Sequence, residues 1–589
     1  VGLENDICAF EKIHRNRPTK MQTNVNHPND ILIVGAGPVG LMMAAELHRH
    51  GVRCRLVERL PQRAPYCKAL GIMPRTLEMW DDLGIIQQTL SAGLGLKGAI
   101  NVVAGDDNQQ EKIGVALSEG AYGFLTLAQY DAERILADHL ISLGGRIERS
   151  VKLVGLEQND SAVSATLKHA DGNSETVDCQ YVVGCDGGRS AVRHALDIPF
   201  EGEHYEQTFF LVDVEIEGDF ERGYAYRMVR IEQGKPVGGG ACIPVPGNPR
   251  RYRFSTVAPD AMVPAQLTSA GQPTQGIADV GPTLEQAQEL LNWFFPAGAK
   301  VSNLRWSAFY RISHRLAANY RVGRVFLAGD AAHLHPPIGG QGMNTGLQDV
   351  YNLGWKLALH VQGVAASELL DSYEAERRPI GQQIVQRTTK RMNKMFEGKV
   401  DAQDPLREDS QLFLNYRDSA IVANDLLAEP QNTAGPLAGD RASDVRGLQR
   451  AFTRHEIRLF DLLRGPHHTL LLYTASANPA QDCGNFAELA TALFQHFAGR
   501  IQTYAIIHSD CDVPQIEGLP TVIDRRNEFG QLYRPQSGAG YLIRPDGYIG
   551  YRADNINLDQ LNVFLKRVFR NDVAQLKNPT SCRALNPNS

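Results

Sequence analysis

Long apolar runs are missing from this sequence: no stretch approaches the about 20 residues that a helix needs to cross a bilayer, so no membrane span is expected. Also missing are a charged-then-apolar leader, a G-x-S-x-G elbow, a P-loop and any Cys/His spacing of a metal site; no metal is expected. The nine cysteines include no CxxC pair. An odd, scattered count reads as reduced thiols, and the expected location is cytoplasmic. Surplus positive charge is absent too: a net charge of -6 and a pI near 6.3 provide no field that would gather phosphate backbones, and a nucleic-acid partner is not expected.

What is present is a chain of 589 residues, too long for the single core that stops growing beyond about 250 to 300 residues. Residues 1–29 are polar, with Met21 just ahead of the first strong strand, and read as a mobile N-terminal segment. Asp30 to Val34 is a short apolar strand, Gly35 to Gly40 a glycine-rich turn, Leu41 to Leu47 a helix closed by Gly51, and Val52 to Val57 a second strand ending at Glu58. Gly35, Gly37 and Gly40, with Pro38 and Val39 between them, let a pyrophosphate approach a helix N-terminus. Glu58, 23 positions after Gly35 and followed by Arg59, is placed to accept hydrogen bonds from an adenosine ribose. Strand, glycines, helix, strand and acid in that order read as a dinucleotide site.

Farther on, segments near 152–156, 164–169 and 175–177 alternate like a small meander, and many β-like segments broken by Gly and Pro run from about 200 to 307. Arg324 to Asp330 returns to a buried strand, and helical periodicity follows from Met343 to about Met395. The expected organisation is α/β: a discontinuous Rossmann-like dinucleotide-binding domain (30–199 and 320–396), an inserted β-sheet domain (200–319), a linker (397–439) and a C-terminal α/β domain (440–589). No internal repeats are apparent.

The glycine turn alone does not separate FAD from NAD(P). The decision rests on Gly329 and Asp330 at a strand end, followed by His333, His335 and the run Pro337, Gly339, Gly342, Met343, Asn344 opening a helix. This resembles the GD motif of the class A flavoprotein aromatic hydroxylases, which include the phenol and hydroxybenzoate hydroxylases. Cys185 to Arg193, with Asp186 and Arg189, resembles the same family's DG motif, and Arg193 reads as a surface cation near a pyridine nucleotide. Lys68, where many relatives have Arg, and Gln129 match further FAD contacts, whereas Leu70 stands where phenol hydroxylases carry an Asp. Ala438 to Asp444 and Leu542 to Gly547 resemble phrases of the thioredoxin-like domain appended to phenol-hydroxylase-type members.

The resemblance implies FAD as cofactor, NAD(P)H and O2 as co-substrates, and hydroxylation of a phenolic or polycyclic aromatic substrate through a flavin C4a-hydroperoxide. The alternatives are an oxidase, epoxidase or Baeyer–Villiger-type oxygenase on the same scaffold, or a non-catalytic flavin-binding redox partner. A homodimer is a further expectation. No catalytic base stands out; Tyr205, Tyr224, Tyr226, Arg227, His314 and Arg315 are candidates by type and region, each set against an ordinary packing or surface role.

Overall fold

The computed structural model describes residues 30–570 except 66, 107, 115–119, 265–280, 296–297, 397–404, 428–433 and 515. The expected mobile segment 1–29 lies outside the described residues. Five sheets organise the rest, and the chain is mixed α/β.

The sheet that positions the site runs in the order Arg321–Val322, Val325–Leu327, Tyr181–Gly184, Ile31–Val34, Cys54–Glu58, Ile147–Arg149. Its four pairings from Val325–Leu327 to Ile147–Arg149 are all parallel, with Ile31–Val34 between Tyr181–Gly184 and Cys54–Glu58. Parallel strands must be covered on both faces, which is why Ile31 to Val34 and Val325 to Leu327 are apolar at every position. Helices Pro38–Arg49 and Gln341–Val361 pack on this sheet. Residues 343–395, one helical stretch by periodicity, divide into Gln341–Val361 and Asp371–Phe396. The meander is a separate antiparallel sheet of Val151–Gln158, Val163–His169 and Ser174–Cys179.

An eight-stranded sheet contains Phe200–Glu217, Tyr224–Glu232, Lys235–Pro244, Arg251–Val257 and Lys300–Ala317. It also recruits Gly98–Gly105 and Gln109–Gly114 from within the stretch that the sequence assigns to the FAD-binding domain. The reason is burial: Ile100 and Val102 point into the core that Tyr226, Phe254 and Phe294 share. Alternation gives this sheet two faces. Phe210, Val212 and Phe309 belong to that core, while Phe209 and Ile312 pack with Ile338 and the end of helix Asp371–Phe396.

The C-terminal part forms another eight-stranded sheet. Parallel strands His468–Thr474 and Ile501–His508 flank helix Pro479–His496, and the antiparallel pair Gly540–Ile543 and Ile549–Ala553 leads into helix Leu558–Leu565. Within the stretch that composition marks as a linker, Ala423–Asp425 adds an edge strand to this sheet. All seven described cysteines are unpaired, and no described helix is long and apolar enough to cross a membrane.

Candidate functional site: a crevice at the strand ends

The C-terminal ends of the parallel strands converge on one crevice, the usual ligand position in such sheets. Gly35, at the end of the first strand, has φ +102° and donates its amide to Val57 O at 2.8 Å. A Cβ there would lie 2.5 Å from Cys185 O, and one at Gly40 would lie 1.9 Å from Gly35 O. These two glycines are therefore demanded by backbone packing. Gly37 differs: a Cβ there would meet nothing within 4 Å. It caps helix Pro38–Arg49 without any side-chain hydrogen bond, so open space faces unpaired amides and the positive end of the helix dipole. A methyl group there would face the helix amides without displacing any protein atom. Glu58 is fixed at the crevice edge, its two oxygens accepting from Ala36 N and Leu60 N at 2.9 Å each, with exposed Arg59 beside it.

The GD loop is held from behind. Gly329 adopts φ +62° against Val39, and a Cβ on Gly346 would approach Gly329 Cα to 2.8 Å. The fully buried Asp349 carboxylate accepts from Gly329 N at 3.0 Å and Arg377 Nε at 2.8 Å, and pairs with His333 Nε2 at 2.8 Å. Burial alone would raise its carboxyl; Arg377 and His333 outweigh that and hold it below the ordinary range. Asp330 shows the opposite character. Its side chain is solvent-accessible and has no hydrogen-bond partner among the described residues, yet burial raises its carboxyl against the pull of His333 and Lys68.

The glycine-rich helix start continues this wall. Gly339 and Gly340 are both left-handed, at φ +77° and +65°, and Gly340 leaves helix Gln341–Val361 without a side-chain cap. Pro337 is exposed and Gly342 and Met343 are half-buried. Asn344 is fully buried, and its amide is committed within the protein: Oδ1 accepts from Met73 N and Thr76 Oγ1, while Nδ2 donates to Gly71 O and Gly340 O. Gln129 is likewise a tether, accepting from Ala69 N at 2.9 Å and donating to Glu133 at 2.9 Å, so it fixes the loop that carries exposed Lys68.

In the DG loop, Asp186 Oδ2 accepts from Ala191 N and Val192 N, and Oδ1 is buried without a hydrogen-bond partner. Arg189 is exposed. Arg193 is not a surface cation. It is 3 % exposed, donates to Ala331 O and Gly188 O, and lies 3.9 Å from the Phe200 ring centroid. The short helix Ala191–Ala195 tucks against the sheet and turns this guanidinium into a strut between the DG and GD loops.

The six base candidates scatter. Tyr226 lies in the sheet core with its hydroxyl accepting from Glu221 N, and Tyr224 packs under the Lys112 ammonium. Tyr205 and His314 meet edge-on at 5.2 Å beside helix Asp371–Phe396, and Arg315 donates to Phe200 O. Arg227 alternates with Tyr226 and acts on the carboxyl of Asp409.

Sequence reasoning missed Asp409, whose carboxylate oxygen would lie 2.7 Å from a Cβ on Gly339 and pairs with Arg391 at 2.7 Å. It also missed Tyr310 and Ser255, whose hydroxyls are 3.3 Å apart on the Phe209 face of the large sheet. A polar pair on a face rich in apolar residues was the available signal.

His335 supplies a pH test. Its Nδ1 is 2.9 Å from Pro336 O, Nε2 is buried without a hydrogen-bond partner, and burial pushes the imidazole down to about 4. With the folded pKa below the unfolded value, its contribution is present above pH about 6.5 and is lost as pH falls toward 4. Melting curves from pH 7.5 to 4.5 should show His335→Gln losing less stability on acidification than the parent; parallel curves would refute the assignment.

The family described as FAD binding domain matches residues 29–388. Pentachlorophenol 4-monooxygenase of Sphingobium chlorophenolicum is 32% identical over 548 residues, covering 89% of this chain and 93% of that protein. 6-methylpretetramide 4-monooxygenase of Streptomyces rimosus is 31% identical over 566 residues, covering 91% and 93%. A solved aklavinone-11 hydroxylase, in complex with FAD and aklavinone, superposes with a TM-score of 0.70 at 25% identity, covering 92% of this chain and 99% of that one. Matched in this way over most of its length, the chain belongs to the FAD binding domain family and is a flavin-dependent monooxygenase.

Proposed function

We propose that the protein hydroxylates a phenolic or polycyclic aromatic ring with O2, consuming NAD(P)H. One observation carries this reading: an open pyrophosphate seat at Gly37 and an exposed carboxylate at Asp330 lie at the strand ends with glycines 339 and 340, beside a sheet face of aromatic and apolar side chains. The names of the relatives, a pentachlorophenol and a 6-methylpretetramide monooxygenase, favour the same substrate class.

In this proposal Gly35, Gly37, Pro38, Val39 and Gly40 seat the pyrophosphate, Glu58 takes the adenosine ribose with Arg59 at its rim, and Asp330 takes the ribityl chain. Gly329, Pro337, Gly339, Gly342 and Met343 shape the flavin edge. Lys68 supplies a cation facing Asp330, Gln129 and Asn344 hold the loops from behind, and Asp186 and Arg189 close the far side. Bound FAD supplies redox and oxygen chemistry that side chains lack. The protein's own part is to aim the uncapped amides of helix Gln341–Val361 at developing negative charge and to keep water away. Phe209, Ile312 and Ile338 line the dry side, and the Tyr310 and Ser255 hydroxyls orient a phenolic oxygen.

The division into FAD-binding, substrate and C-terminal units, the cytoplasmic location and a homodimer belong to the same reading. The parallel unit and following hairpin of the C-terminal sheet favour its thioredoxin-like description. A panel of phenols and polycyclic quinols, screened for stimulated NAD(P)H consumption and a product gaining one oxygen, tests the proposal. Consumption without an oxygenated product would replace it with an oxidase.

Asp330→Ala is expected to raise the FAD dissociation constant by about tenfold or more, since a charge-assisted hydrogen bond contributes about 1.5 to 3 kcal/mol. Equilibrium titration of apoprotein with FAD measures it; unchanged affinity would remove Asp330 from the site.

A further inference from the structure

Arg544, in the C-terminal unit, reaches the helix that supports the GD loop. Its Nη1 and Nη2 donate to the two Glu376 oxygens at 2.7 and 2.9 Å, and its Nε donates to Asp546 at 3.0 Å. Lys356 Nζ donates to the same Glu376 at 2.7 Å, and Asn352 Nδ2 bridges Glu376 and Asp546. Glu376 is followed on helix Asp371–Phe396 by Arg377, which donates to Asp349 and to Tyr416 Oη, each at 2.8 Å, and to Thr345 O. Tyr416 packs on Tyr548 with ring centroids 4.3 Å apart. Asp349, in turn, holds Gly329 N and His333 beside Asp330. Arg377, Asp349 and Lys356 are completely inaccessible, and Glu376, Arg544 and Asp546 are buried.

Buried ion pairs are a poor means of adding stability, because desolvation cancels most of their attraction; apolar side chains would hold these units together as well. What fixed, bidentate pairs add is register. Helix Asp371–Phe396 is gripped on one side by the C-terminal unit and on the other grips the carboxylate behind the GD loop.

We propose that Arg544 is a positioning residue for the flavin: it fixes Glu376, and with it the helix whose Arg377 sets Asp349, Gly329 and Asp330. The C-terminal unit is then a working part of the cofactor site. This inference rests on the GD loop contacting FAD, which Asp330→Ala tests separately.

The experiment is a double-mutant cycle on FAD affinity in the full chain, with Arg544→Met and Asp349→Asn. Each single variant is expected to weaken FAD binding by about tenfold, within the usual range of coupling between distant sites. The double variant should be no more than about twofold weaker than the worse single, because both break one chain of contacts; independent sites would multiply. Arg544→Lys should recover part of the affinity and shift the absorption envelope of bound flavin back toward the parent. If Arg544→Met does not fold, the charge-balanced Glu376→Gln, Arg544→Met protein carries the test. Parental FAD affinity in the Arg544 variant, or multiplicative losses in the cycle, would overturn the proposal and leave Arg544 as a packing residue.

Discussion

Gly37→Ala is expected to give a folded protein that no longer retains FAD, and Gly40→Ala a protein damaged in its fold. The two differ by what a methyl group meets. At Gly37 the backbone is extended, with φ -73° and ψ -176°, and the space is open, so the apoprotein should melt within about 0.5 kcal/mol of the parent. The same methyl would occupy the proposed pyrophosphate seat and screen the helix amides, and FAD affinity should fall by at least about tenfold for each backbone hydrogen bond lost. At Gly40 the methyl would sit 1.9 Å from Gly35 O. Gly35 cannot yield, since it abuts the Cys185 carbonyl and is bonded to Val57. Overpacking of this kind costs about 1 to 3 kcal/mol or more. Melting curves of the two apoproteins, with flavin absorbance of each as purified, separate the cases; equal stability losses would contradict the division of roles.

Arg377→Met should be among the most damaging single changes outside the crevice itself. It leaves the Asp349 carboxylate buried with only His333 and Gly329 N, and breaking a buried pair from one side costs about 3 to 5 kcal/mol. The melting temperature should fall by several degrees. Arg378→Met, next in sequence but only half-buried and donating to Ala317 O, is the control and should cost less than about 1.5 kcal/mol. Adding Asp349→Asn to Arg377→Met should recover part of the loss, since the stranded charge is gone. A loss no larger than that of Arg378→Met would show that the Asp349 pair is not what holds the GD loop.

The glycine turn was readable because close backbone packing at Gly35 and Gly40 and an open helix start at Gly37 fix the spacing of the three glycines, and Glu58 follows at the end of the second strand. Asp330 was readable for a related reason, a carboxylate delivered at the end of a buried strand. Asp409 was not, because a short segment rich in Asp, Asn, Pro and Gly looks like solvent-facing chain, and only the tertiary fold lays it on Gly339. Asn344 and Gln129 have the residue types of ligand contacts, yet the amide of each is committed to other groups of the protein, a distinction spacing does not carry. Arg193 was misread because one turn of helix has no period from which to find its buried side. Residues 98–105 fall within the range assigned by sequence to the FAD-binding domain, and only the core shared with Tyr226 places them in the large sheet.

The most direct test of the account is the source of the oxygen atom in the product. With an aromatic substrate that stimulates NAD(P)H consumption, a reaction under oxygen-18 gas in ordinary water should yield a ring hydroxyl carrying one heavy atom per NAD(P)H consumed. Product free of the label, with the label recovered only in hydrogen peroxide, would contradict it.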